Sequence, residues 1–314
     1  MSKQFFRKGF SLAIVAILIV GVLAGCGKKT EDATDSTTSI APSTEATTSA
    51  APTETEAANA GGEEITGTIT ASGSTALQPL VQRAAEYFMK DHDKLTINVT
   101  GGGSGTGVKN VHDGVSDIGN SDVEAAAELK DGLVDHIVTI APFALIVNQG
   151  VGVEDLTLAQ ATDIFTGVTT NWSQVGGKDL KIVLVHRQES SGSRKLVKKI
   201  VLGDKDFTKE GLTQDSSKLV ATTVGTTDGA IGYVDVPYLA PTYKVNALKI
   251  GGVAYSSDTI KDGTYPLFGL EHMYTKGEAT GATKAFLEYM ISKEFTEKED
   301  VLALGFLSPD LLKK

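Results

Sequence analysis

An α/β fold with mostly parallel sheets flanked by helices is what this sequence predicts, and three observations carry it. Strands alternate with amphipathic helices along the chain, the order from which parallel sheets are built. Four times a strand runs into a short Ser/Thr/Gly/Asp turn that opens a helix: Ser72-Gly73-Ser74-Thr75, Ser104-Gly105-Thr106-Gly107, Asn120-Ser121-Asp122 and Ser190-Ser191-Gly192-Ser193. The stretch from Glu64 to Lys314 holds roughly 250 residues, large for one simple core and comfortable for two lobes.

The N-terminal end has a different character. Lys3, Arg7 and Lys8 precede the apolar run Phe10–Leu23, which ends in Leu23-Ala24-Gly25-Cys26, the layout of an export signal over 1–25. A spanning anchor is the competing reading, but about 14 residues make a helix of roughly 21 Å, short of a hydrocarbon core of ~30 Å. Cys26 is the only cysteine, so no intrachain disulfide can form. Leu-Ala-Gly-Cys after an apolar run resembles a bacterial lipobox, which makes Cys26 the expected lipidated first residue of the mature chain, a free thiol being the alternative. From Cys26 to residue 63 the composition is Thr, Ser, Ala, Glu and Pro with almost no large apolar side chain. Such a segment buries too little to offset its ordering entropy and is expected to be a disordered tether, roughly 30–36 Å end to end. Its acids supply part of the formal charge of −10. No basic patch with interleaved aromatics is present, so nucleic acid is not an expected partner.

The elements follow in order. Thr68–Ala71 reads as a strand. Leu77, Leu80, Val81, Ala84, Ala85 and Phe88 then mark one helical face. Leu95, Ile97 and Val99 alternate as a strand, before a glycine turn and a helix carrying Val108 and Val111. Asp117–Gly119 is a short strand ahead of a helix over Glu124–Leu129. Ile137–Ile140 and Phe143–Val147 are strand material interrupted at Pro142. A helix near Leu158–Phe165, a loop anchored by Trp172, and a strand over Ile182–Val185 come next. The following helix buries Leu196, Val197, Ile200 and Val201. Gly229–Val234 is a strand, Ala247–Ile250 and Tyr265–Leu270 return the chain to the first lobe, and Thr280–Ser292 is the closing helix with Phe286, Leu287 and Met290 inward.

Several chemistries are poorly served by these residues. Gly102–Lys109 approaches a Walker loop, but Val108 stands where the lysine should be, and the dinucleotide spacing is missing. Gly103-Ser104-Gly105 does not make the Gly-x-Ser-x-Gly elbow. His92, His112, His136, His186 and His272 show no metal-pair spacing on one helix, so no metal and no cofactor is expected. Sequence order leaves a Ser-His-Asp triad open, since triads are recognised by geometry. Taken singly, a serine–glycine turn is usually a helix cap. Several together, with Arg187 and Asp122 close by in sequence, suggest an oxyanion site. Helix N-termini offer unpaired N–H groups and a positive dipole end, hydroxyls add donors, and glycine lets the backbone approach.

Through these residues the chain resembles the phosphate-binding lipoproteins of bacterial ABC phosphate importers. The resemblance runs from Thr68 to Pro309. It rests on Ala71–Leu80, Gly101–Gly107, Asp117–Asp122, Ile164–Gly167 with Asn171-Trp172, Arg187 with Ser191–Arg194, Gly229–Tyr233 and Leu304–Phe306. It implies a two-lobed periplasmic-binding-protein-like fold of type II, with two hinge crossings and an anion enclosed between the lobes. The expected division is 64–144 for the first part of lobe I, 145–238 for lobe II and 239–314 for the rest of lobe I. Carried over by motif, Ser74, Thr75, Ala76 (through its backbone N–H), Ser104, Arg187, Ser191, Gly192 and Ser193 donate to inorganic phosphate. Asp122 accepts. The family commonly has Thr where Ser193 stands, and some members place a bulky side chain at Ala76. The resemblance further implies a non-enzymatic, monomeric protein, lipid-anchored at Cys26, facing outward and delivering phosphate to membrane permease subunits. A secreted phosphate-ester hydrolase and a lipoprotein that binds a partner or polymer are the alternatives.

Overall fold

Three parallel strands and two helices open the fold in the computed structural model, which describes residues 64–313. β1 (Gly67–Gly73) lies between β2 (Leu95–Gly102) and β3 (Ile118–Ser121), with α1 (Gln78–Asp91) and α2 (Ser104–His112) as the connections. The chain continues through β4 (Leu133–Asn148), β5 (Asp155–Leu156), α3 (Leu158–Phe165), β6 (Val183–Arg187) and α4 (Gly192–Val197). Then come β7 (Leu212–Gln214), α5 (Ser217–Thr226), β8 (Ala230–Asp235), β9 (Val245–Ala247), β10 (Lys249–Ile250), α6 (Ser257–Lys261), β11 (Phe268–Lys276) and α7 (Gly281–Met290). The export signal, Cys26 and the tether lie outside the described residues.

The strands make one continuous path, β2-β1-β3-β11-β4-β8-β6-β7, with β9 beside β4 and a separate β5–β10 pair. Both ends of the path are parallel, as the alternation of strands and helices predicts. The middle is antiparallel, because β4 leaves the first half and β11 returns to it, and the two crossings pair with each other. The result is a mixed α/β sheet rather than two independent parallel ones.

Two cores flank the crossings. One gathers Ile69, Leu77, Val81 and Phe88 with Phe286 and Phe295, so the α1 stripe packs on the closing helix. The other surrounds Phe143, Phe165, Trp172 and Tyr233. Trp172 is fully buried and its indole N–H donates to the Gly229 carbonyl at 2.9 Å, an anchor for its loop. Burying an aromatic of this size and satisfying its polar end is the usual condition for a core tryptophan.

The structure corrects three details. Pro142 does not interrupt β4, which runs 16 residues straight through it. The proline pairs with Phe268 of β11, and the next residue, Phe143, starts the ladder to β8. Where one ladder ends and another begins, a missing N–H costs little. The Glu124–Leu129 helix shrinks to a 3₁₀ turn at Ala127–Leu129, since so short a segment has almost no apolar face to bury. Finally, the return to the first half comes at β11 rather than near 239. Leu248, Ile250, Ile260, Tyr265 and Leu267 belong to the core around Trp172, and β9 pairs with the far end of β4.

Candidate functional site

Parallel register decides where the candidate residues meet. β1, β2 and β3 point the same way, so Gly73 is level with Gly102 on one side and Asn120 on the other. Neighbouring strands lie ~4.8 Å apart, and the turns leaving them therefore bring Ser74–Ala76, Ser104 and Asp122 together. Gly73 has φ +131°, and a Cβ there would stand 2.3 Å from the Asn120 carbonyl oxygen, so only glycine allows this approach. The second ladder works alike: β6 runs parallel to β7 and β8, and its end carries Arg187 and the turn into α4. The two sets of strand ends face each other, the place where open α/β sheets hold ligands.

All nine predicted ligand contacts come together here and are buried, Thr75 only 5% and Arg187 only 3% exposed. Contacts cross between the halves. The Ser193 hydroxyl donates to Asp122 Oδ2 at 2.8 Å, the Ser217 N–H donates to Thr75 Oγ1 at 3.1 Å, and the Gly105 N–H donates to the Ser190 carbonyl at 2.8 Å. A Cβ on Gly192 would fall 2.3 Å from Ser104 Oγ and 2.8 Å from Asp122 Cβ, which is how closely α4 approaches the opposing turns.

Individual roles are legible. Ser191 Oγ accepts from the Arg194 N–H and caps α4. Ser74 Oγ accepts from the N–H groups of Ala76 (3.1 Å) and Leu77 (3.0 Å), so Ser74 is a local cap and the Ala76 N–H is already shared with it. Ser104 Oγ accepts from the Asp122 N–H at 3.0 Å and so ties two of the turns together. Arg187 spends Nη1 on Ser217 Oγ (3.0 Å) and Nη2 on the Asp215 carbonyl (3.2 Å), while its buried Nε has no acceptor. Burial lowers the guanidinium pKa, and the charge of Asp122 is the first influence opposing that.

Sequence reasoning missed further residues at the same place. Ser217 and Asp215 follow β7, Asp235 is the last residue of β8 and Tyr238 follows it, and the ends of both strands lie beside Arg187. The Tyr238 hydroxyl donates to the Thr75 carbonyl at 2.6 Å, another bridge between the halves. Asp235 and Glu271 are fully buried, and burial together with the Asp122 charge pushes both carboxyls well above the usual range. The available signal was position: Asp215, Ser217, Asp235 and Tyr238 each lie at, or just past, the end of a strand parallel to β6. No group of three or more His, Cys, Asp or Glu side chains suited to a metal occurs among the described residues. Surface cavities of about 330 and 230 Å³ lie elsewhere, around His136–Val138 with α7 and around Gly114–Asp117. No helix among the described residues is long and apolar enough to cross a membrane.

What the cluster can do follows from its atoms. Hydroxyls, the first N–H groups of α4 and one arginine are donors to an anion. A carboxylate within the same dry space is an acceptor for a proton that the anion itself must bring.

Comparisons with known proteins point the same way. The model of a PBP superfamily domain matches residues 44–294. The phosphate-binding protein PstS of Bacillus subtilis is 44% identical over 252 residues, covering 79% of this chain and 82% of that relative. A phosphate ABC transporter substrate-binding protein of Clostridium perfringens, solved with bound phosphate, is 30% identical with a TM-score of 0.72, covering 77% of this chain and 99% of that one. An ABC-type phosphate transport receptor of Vibrio cholerae is 28% identical with a TM-score of 0.62, covering 77% of this chain and all of that one (100%).

Proposed function

This chain belongs to the PBP superfamily, among the relatives of the PstS phosphate-binding proteins, and from that premise we propose that it binds inorganic phosphate between its two lobes, outside the cell membrane, and hands it to the permease of an ABC importer. Thr75, Ser104, Arg187, Ser191, Gly192 and Ser193 are the donors. The Ala76 N–H joins them by exchanging its 3.1 Å bond to Ser74 for a stronger one to a charged oxygen, and Ser74 holds the turn. Arg187 supplies the only formal positive charge among these donors, and its unpartnered Nε is the atom that gains most from a ligand. The lobes close on the anion because its contacts come from both, so it favours the closed form by its differential affinity. The protein acts as a monomer, anchored by lipid on Cys26, and reaches its permease from that anchor.

One observation carries the choice of anion. Asp122 is 2% exposed, its Oδ2 is taken by Ser193, and its Oδ1 has no donor among the described residues. Hydrogen phosphate brings a proton to that atom, whereas sulfate at neutral pH has none and would set a charge against a desolvated carboxylate. A site built around a buried polar group rejects the isostere that leaves it unpaired.

The test is calorimetry on protein stripped of bound ligand, with phosphate and sulfate as titrants. The parent should prefer phosphate strongly. In Asp122→Asn the repulsion is gone and an amide can donate, so sulfate gains and the ratio of the two affinities shrinks, while phosphate affinity changes modestly. An unchanged ratio would remove Asp122 from selectivity.

A further inference from the structure

The enclosed site holds more acid than its charge can carry. Asp122, Asp235 and Glu271 are at most 2% exposed; the two aspartates lie beside Arg187 and Glu271 lies beside the two aspartates, three carboxyls and one guanidinium before any dianion enters. Dry carboxylates cannot all ionise side by side, so protons must be retained somewhere.

Strand register shows where. His272 of β11 pairs with Ser121 of β3, so in this antiparallel ladder Glu271 falls level with Asp122. At the same step β4 slips: Glu271 pairs with Thr139 and His272 with Ile137, leaving Val138 as the extra residue on β4. β11 itself keeps its alternation. Bulges of this kind re-aim side chains beside functional sites. Among the described residues neither oxygen of Glu271 has a donor, and Asp122 Oδ1 and Asp235 Oδ1 have none either. Asp122 lies within hydrogen-bonding reach of Glu271. Two ionised carboxylates in that contact would repel with nothing between them, whereas one proton turns the contact into a hydrogen bond.

The proton belongs on Glu271. Asp122 accepts from the Ser193 hydroxyl at 2.8 Å and lies beside the Arg187 guanidinium, so it is already engaged as an acceptor. Among the described residues Glu271 faces only Asp122 and Asp235 as charged groups, with uncharged Thr139 opposite on β4 and Leu196 of α4 packing two residues away at Gly269. His272 alternates to the other face of β11, where its Nδ1 pairs with Asp135 at 2.9 Å. Burial first, then the two aspartates, hold the Glu271 carboxyl well above the usual range.

We propose that Glu271 is a positioning residue, a neutral carboxylic acid that donates to Asp122 and holds that carboxylate in place as acceptor for the phosphate proton. An ionised carboxylate has about four acceptor positions, enough for Ser193, Glu271 and the ligand. The inference rests on the role given to Asp122 above. Its consequence is a pH dependence: the proton stays on Glu271 at neutral pH and leaves as pH rises through the raised value. The donor then becomes a like charge, and phosphate affinity falls on the alkaline side.

Calorimetric titration with inorganic phosphate from about pH 7 to about pH 10 tests this on the parent, Glu271→Gln and Glu271→Ala. Gln donates an N–H at every pH and cannot ionise. Dividing the affinity of Glu271→Gln by that of the parent at each pH cancels the titration of phosphate itself. That ratio should start within a few-fold of one and rise roughly tenfold or more toward alkaline pH, the size of one charge-assisted bond turned to repulsion. Glu271→Ala, with no donor, should bind roughly tenfold more weakly than Glu271→Gln at neutral pH. A ratio that stays flat overturns the inference, and so does a Glu271→Gln that binds no better than Glu271→Ala. If the alanine variant does not fold, the parent and Glu271→Gln still decide. A folded parent that binds no phosphate at any pH overturns the phosphate reading, and this inference with it, whereas a binding parent with a flat ratio removes Glu271 alone.

Discussion

The two halves of the site meet at one place with opposite chemistry. The half built on β1, β2 and β3 brings neutral hydroxyls at Ser74, Thr75 and Ser104 and the acceptor Asp122, all on turns that leave adjacent parallel strands. The half built on β6, β7, β8 and α4 brings the positive charge, Arg187, steadied by Ser217 and the Asp215 carbonyl. Neither half can replace the hydration of an anion by itself. At the site the first brings no cation, and the second does not contain Asp122, the acceptor assigned to the protonated oxygen. Binding chemistry divided in this way makes affinity depend on both halves being in contact, and the bonds from Ser193 to Asp122 and from Tyr238 to Thr75 cross between them.

Removing the charged half's main donor should have the largest effect. Arg187→Ala is expected to weaken phosphate binding by roughly 3–6 kcal/mol, two charge-assisted bonds of about 1.5–3 kcal/mol each. Calorimetry reads this directly, and parent-like affinity would place the pocket elsewhere.

Preventing the halves from meeting comes next. In Gly192→Ala the new methyl would press on Ser104 Oγ and Asp122 Cβ, at 2.3 and 2.8 Å if nothing moved. Overpacking of this kind costs about 1–3 kcal/mol, here at the expense of the closed form. Phosphate should bind correspondingly less tightly, and small-angle scattering should show less compaction on addition of phosphate than in the parent. The melting temperature of the ligand-free variant should hardly change, since both hydrophobic cores are intact. Full compaction at parent affinity would show that the contact between α4 and the opposing turns is not needed.

The neutral half should give the smallest change. Ser104→Ala removes one hydroxyl donor and leaves the Asp122 N–H without its 3.0 Å partner, an expected loss of about 1–2 kcal/mol in phosphate affinity. A loss as large as that from Arg187→Ala would erase the contrast between a charged and a neutral half.

How much of this was readable beforehand differs by residue. The nine predicted contacts lie in strand-to-helix turns, whose Ser, Thr, Gly and Asp residues have a local reason to be there. Asp215 and Ser217 stand in a turn of the same kind, between β7 and α5, where Ser216 caps the helix. Asp235 and Tyr238 carry no such mark, because they matter only through the strand that stands beside β6. Glu271 was the least legible. In Phe268-Gly269-Leu270-Glu271-His272 it reads as the polar position of a half-buried strand, and its burial comes from β4, β3 and the opposing lobe together. Pro142 misled for a related reason, since its effect on β4 depends on which partner strand ends there.

The sequence by itself determined the alternation of strands and helices, the α1 stripe, the turns with their donors and the presence of one arginine beside a serine turn. These follow from interactions over a few residues, whose geometry is set by local backbone preference and side-chain periodicity. Tertiary structure decided the antiparallel middle of the sheet, the late return at β11, and the burial of Glu271 against the two aspartates that flank Arg187. Those depend on pairings between residues more than a hundred positions apart, such as His272 with Ser121 and Ser217 with Thr75. Burial and charge balance belong to the assembled neighbourhood, and a residue's near neighbours in the chain do not contain it.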